Sequence, residues 1–159
     1  MTAKTGSRRA ARLRGPLYLD ASALAKLYLP EVESNALEAQ LLGRSDLVVS
    51  DLAVTEVVSA ASRRRREGHL GEAHLVRLHQ ALLDDLASGS FLSAHLDSST
   101  HRAAERLLIQ MPGTVLRAAD ALHLAMAFAA GARTLIAYDQ RLIEAAGSAG
   151  LHVAPPASR

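Results

Sequence analysis

The 159-residue chain contains no cysteine. Disulfides, thiolate zinc centres and cysteine nucleophiles are therefore excluded. Aromatic residues make up only 3% of it, so a core has to be built from Leu, Ala, Val and Ile. Long apolar runs are missing too. The most apolar stretch, Ala118 to Ala132, is interrupted by Asp120 and His123 and is too short to span a bilayer. Met1 to Arg14 is polar and lacks the hydrophobic segment of a secretory leader. A cytoplasmic protein with no membrane partner is the expectation.

What is present is enough apolar material, 49% of residues, for one compact α/β domain. The basic excess is concentrated at one end. Lys4, Arg8, Arg9, Arg12 and Arg14 stand where there is no acid, and without them 13 basic residues face 16 acidic ones. The expected layout is a basic flexible tail over 1–15, a domain over 16–154 and a flexible end over 155–159. The body is slightly acidic, so charge alone says little about an anionic partner.

Leu17-Tyr18-Leu19 reads as a short buried strand ending at Asp20, followed by a helix over 21–29 that Pro30 stops. A second helix is expected over 31–42 with Gly43 closing it, then a strand at 47–49. Ser50 or Asp51 can cap a helix running to Arg66, and another helix covers 71–86. An edge-like strand at 90–94, helices over 98–109 and 117–130, a strand at 134–137, a helix over 140–146 and a last strand at 151–153 complete the order. The helix over 117–130 is apolar on nearly every side and belongs in the interior. Short apolar strands alternating with helices imply a mostly parallel sheet of four to five strands flanked by helices. Ligands of such sheets bind beyond the carboxyl ends of the strands.

Aspartates stand at two of those ends, Asp20 and Asp139, where each could equally cap the next helix. Glu56 has Leu52, Ala53, Ser59 and Ala60 as helical neighbours. A carboxylate on such a face costs several kcal/mol unless it is paired or metal-bound. Asp120 interrupts the most apolar helix, and the helix dipole offsets only ~0.3–1 kcal/mol of that burial. Two carboxylates about 4 Å apart repel by roughly 4 kcal/mol at an effective dielectric near 20. Gathering several therefore calls for a hard divalent cation, and an all-oxygen ligand set selects Mg²⁺ or Mn²⁺. Metal-assisted phosphodiester chemistry is the reaction class this suggests.

Four ordered segments, Tyr18 to Tyr28, Ser50 to Val57, Arg117 to Ala125 and Tyr138 to Leu142, resemble the PIN domain, specifically the VapC-type ribonuclease toxins. The resemblance covers roughly residues 17 to 153. It implies a three-layer PIN-like fold and an acidic metal site of Asp20, Glu56, Asp120 and Asp139. Asp20 and Asp120 would be direct ligands of Mg²⁺, while Glu56 and Asp139 would act through water or a second ion. Ser22 matches a small hydroxyl position beside the first aspartate. Where relatives often carry a threonine two residues before the fourth acid, this chain has Ala137.

The resemblance further implies endoribonuclease action leaving 5′-phosphate and 3′-hydroxyl ends, and a role as the toxin of a toxin–antitoxin pair. Its implied partners are an RNA substrate, a cognate antitoxin inserting an arginine-bearing tail, and a second copy in a homodimer. Operator DNA would be met only through the antitoxin. Arg63, Arg64, Arg65 and Arg66 end the helix of Glu56; because consecutive residues point around a helix, only some can face RNA phosphates. His123 lies one turn from Asp120 and could support the acids from behind, though a core or surface histidine is the favoured reading. Receiver-like and dehalogenase-like folds also place an aspartate after the first strand, but the second wants an Asp where Ser22 stands. The first wants an acidic pair and a late strand-end lysine, and the only lysines are Lys4 and Lys26. Two alternatives remain: a catalytically degenerate PIN fold acting as a binding or co-repressor subunit, and a housekeeping RNA-processing nuclease.

Overall fold

The computed structural model describes residues 13–154. The expected flexible segments therefore lie outside the described residues, except for Leu13 to Gly15. The elements run β1 (Leu17–Leu19), α1 (Ala21–Tyr28), α2 (Ser34–Leu41), β2 (Leu47–Ser50), α3 (Asp51–Arg66) and α4 (Glu72–Ala87). There follow β3 (Leu92–Ala94), α5 (Ser98–Gln110), α6 (Ala118–Ala129), β4 (Thr134–Ile136), α7 (Gln140–Ser148) and β5 (His152–Val153). The sheet is wholly parallel with order β3-β2-β1-β4-β5, and Leu17 stands beside both Leu47 and Thr134.

Strand alternation sorts the sequence into three layers. Leu17, Leu19, Leu47, Val49 and Ile136 face one way and pack with Leu24, Leu37, Val57 and Leu82 from α1 to α4. Tyr18, Val48, Leu135 and Ala137 face the other way, against Leu124, Met126, Leu142 and Ala146 of α6 and α7. As its composition requires, α6 is interior, with every residue from Asp120 to Ala127 except Leu122 buried. Leu13 and Arg14 already belong to this body: Leu13 O accepts from the Arg44 guanidinium and Arg14 O from the Thr134 hydroxyl.

One local alternative is decided and one expectation is corrected. The α3 cap is Ser50, whose Oγ accepts from Ala53 N at 3.1 Å; Asp51 is exposed and accepts from Leu96 N instead. The second helix starts at Ser34 rather than Glu31, because the Ser34 hydroxyl accepts from Glu31 N and donates to Lys26 O. Gly43 ends α2 with a φ of 74°, a left-handed conformation that suits glycine. Among the described residues no helix is long and apolar enough to cross a membrane.

Candidate active site

β1 is central, with β2 on one side and β4 on the other, so the chain's direction of travel across the sheet reverses there. Strand ends diverge at such a reversal and leave a crevice for a ligand. Asp20 follows β1 and Tyr138-Asp139 follows β4. Ser22 bridges the two: its hydroxyl donates to Asp20 (Oγ to Oδ1 2.7 Å) and accepts from Tyr138 N at 2.7 Å. A cleft beside it is lined by Ser22, Ala25, Lys26, Glu31, Tyr138 and Asp139.

The capping reading of the strand-end acids holds. Asp20 caps α1, Oδ1 accepting from Ala23 N at 2.8 Å, and Asp139 caps α7, Oδ1 accepting from Arg141 N at 2.9 Å. Asp120, in the first turn of α6, accepts from Arg117 N through Oδ2 at 3.1 Å. Each cap fixes a carboxylate at the positive end of a helix.

Their electrostatics differ. Asp20 is 4% exposed and Asp120 8%, and neither has an Arg or Lys ion pair among the described residues. Burial pushes the Asp20 carboxyl above its ordinary range, against the Ala23 N–H, the Ser22 hydroxyl and the His123 ring. Burial acts on Asp139 too, but the Arg141 N–H and guanidinium outweigh it and hold that carboxyl below its usual range. Glu56 is half-buried and bonds Nε2 of His123 at 2.8 Å. Among the described residues, no three His, Asp or Glu side chains stand close enough to hold one ion. Two buried, cation-free carboxylates nevertheless suit a hard ion that keeps much of its own water, as Mg²⁺ does.

The arginine run divides. Arg64 pairs with Glu31 and Arg65 with Glu72 at 3.8 Å, while Arg63 and Arg66 are exposed with no acidic partner among the described residues. Glu31 also takes part in a network missed at the level of sequence. Lys26 Nζ lies 2.6 Å from Glu31, 2.7 Å from Glu33 and 4.4 Å from the centre of the Tyr138 ring. His123 was likewise undervalued: it is a buried link between Tyr18 and Glu56. Its spacing of three from Asp120 on one helix was the available signal.

The PIN domain family matches residues 17–148. Ribonuclease VapC46 of Mycobacterium tuberculosis is 33% identical over 148 residues, covering 88% of this chain and 97% of the relative. The crystal structure of M. tuberculosis VapC20, titled a sarcin-ricin loop cleaving toxin, superposes with a TM-score of 0.65 at 16% identity. That match covers 85% of this chain and 95% of VapC20. VapBC2 from Rickettsia felis, solved with a promoter DNA fragment, gives a TM-score of 0.62 at 14% identity over 87% of this chain and 96% of that one. The sheet order, the aspartate after the central strand and these matches converge: the chain belongs to the PIN-domain family, among the VapC ribonucleases.

Proposed function

We propose that this chain is a divalent-metal-dependent endoribonuclease and the toxin of a toxin–antitoxin pair. The observation that carries the metal site is Asp20: a buried carboxylate with no ion pair among the described residues, at the crevice where the sheet reverses. The ribonuclease names of the relatives support the substrate class.

Asp20 and Asp120 would hold Mg²⁺ or Mn²⁺ directly, with Glu56 and Asp139 acting through water or a second ion. The chemistry supplied by such an ion is neutralisation of charge on phosphate oxygens and activation of water for in-line attack. The protein's own residues do the arranging. Ser22 keeps both Asp20 oxygens in place while tying down the turn that carries Asp139. Arg141 holds Asp139 ionised, ready to accept a proton or orient water. Arg63 and Arg66 contact RNA phosphates, whereas Arg64 braces the α1–α2 turn through Glu31.

An antitoxin segment bearing an arginine would complement the same buried carboxylates, and homodimerisation would cover exposed apolar side chains such as Val32, Leu42 and Ile109. The test is RNA cleavage with and without EDTA by the native chain and Asp20→Asn. Cleavage by the native chain alone, abolished by EDTA, supports the reading; equal cleavage by both proteins overturns it. The spacing of the acids favours one second reading, a degenerate PIN fold that binds without cutting. EDTA-insensitive partner binding with no cleavage would establish that alternative.

A further inference from the structure

We propose that His123 is a positioning residue that sets Glu56, and with it the relative placement of three of the four acids. The inference rests on the nuclease reading and deepens it.

His123 is 3% exposed, in the middle of the interior helix. Its Nδ1 lies 2.8 Å from the Tyr18 hydroxyl and its Nε2 2.8 Å from Glu56 Oε2. The Tyr18 hydroxyl lies 2.7 Å from Ser50 Oγ, which also accepts from Ala53 N. The two rings meet edge-on, at 5.9 Å between centroids and 74° between planes. Strand alternation explains the meeting: Tyr18 and Ser50 share the sheet face that α6 covers.

The bonds close a loop. Ser50 starts α3 as its cap, and Glu56 lies on the second turn of that helix. The route back runs from Glu56 through His123 and Tyr18 to Ser50. It therefore ties together β1, which delivers Asp20, α3, which carries Glu56, and α6, which carries Asp120. His123 follows Asp120 by three residues and Tyr18 precedes Asp20 by two. The Tyr18 phenol remains protonated through the neutral range, because burial and the charges of Asp20 and Glu56 push its pKa up against the Ser50 bond. Among the described residues Glu56, unlike Asp139, has no cap or arginine to orient it; its partner there is this one imidazole. Without the ring, a flexible side chain would sample several rotamers at the site.

The test separates the two edges of the ring. His123→Gln keeps an amide near the Nε2 position, and His123→Asn keeps one near Nδ1. Loss of a group that orients a ligand typically costs 10–100-fold in metal affinity or activity. The expected result is a 10–100-fold fall in kcat for His123→Asn at unchanged KM for RNA, and recovery to within about threefold for His123→Gln. Tyr18→Phe, which frees only the inner edge, should lose less than His123→Asn. Independently of cleavage, Mn²⁺ binding followed by electron paramagnetic resonance should weaken in the same order. The His123 ring ¹⁵N signals of metal-free protein should shift in Glu56→Gln. If all three variants bind Mn²⁺ and cleave within threefold of the native chain, or the ring signals ignore Glu56→Gln, the inference is overturned. If the native chain cuts no RNA, the nuclease reading fails by itself; the Mn²⁺ and ring-signal measurements still decide the role of His123.

Discussion

Replacing Asp20 by asparagine or alanine should separate its structural from its functional work. The carboxylate caps α1 through Ala23 N and is held by Ser22, but it is buried without an ion pair among the described residues. Asparagine retains a cap acceptor and removes the charge; alanine removes both. Losing an aspartate cap costs about 1 kcal/mol, so the alanine variant should melt roughly 3 °C below the asparagine variant. The native carboxyl has a raised pKa in the folded state. Its favourable contribution is complete below the unfolded value of about 4 and is lost as pH rises through the folded value. Metal-free Asp20→Asn should therefore be more stable than the native chain at pH 7, with the gap closing toward pH 4 and below. Its activity should move the opposite way. A unit charge about 4 Å from a carboxylate gains roughly 4 kcal/mol at an effective dielectric of about 20, so metal affinity should fall on the order of a thousandfold. Melting curves across pH in EDTA, paired with metal titrations, make the check. An asparagine variant less stable than the native chain at pH 7, or one with native metal affinity, would refute the reasoning.

Leu82 of α4 is fully buried in the core cluster that includes Val57 and Leu78, and Leu82→Ala should cost about 2–5 kcal/mol, lowering Tm by roughly 6–15 °C in calorimetry. Cleavage measured well below that Tm should be unchanged. The double variant Arg63→Ala/Arg66→Ala should flatten the salt dependence of RNA binding by about one to two phosphate contacts, whereas Arg64→Ala should leave that slope alone. Asp97 caps α5, and the Thr100 N–H with the Ser99 and Thr100 hydroxyls holds its carboxyl at about 2. Its contribution is complete above the unfolded value of about 4 and fades as pH falls through the folded value. Asp97→Asn should therefore melt below the native chain from pH 7 to pH 5, and the difference should disappear near pH 2.

Much of the fold was legible because its strands are short, apolar and punctuated. Leu17-Tyr18-Leu19 ends at a capping aspartate, and Gly43 and Gly68 close helices with positive φ. Strand order was not legible, since nothing local distinguishes a strand that becomes central from one that becomes an edge. That Asp20 and Asp139 cap helices could not be decided in sequence, because an aspartate after a strand suits a cap and a ligand equally. The bonds of His123 were not legible because its partners, Tyr18 and Glu56, are 105 and 67 residues away. The arginine run was legible as charge, but its division was not. The acids that occupy Arg64 and Arg65 come from the α1–α2 turn and the start of α4.

The claim that a divalent ion belongs at the end of the central strand can be tested directly by anomalous diffraction from crystals soaked in Mn²⁺. A peak is expected within coordination distance of Asp20 and Asp120 carboxylate oxygens, absent from Asp20→Asn crystals. A clear map with no peak there, at a Mn²⁺ concentration that sustains RNA cleavage in solution, would contradict it.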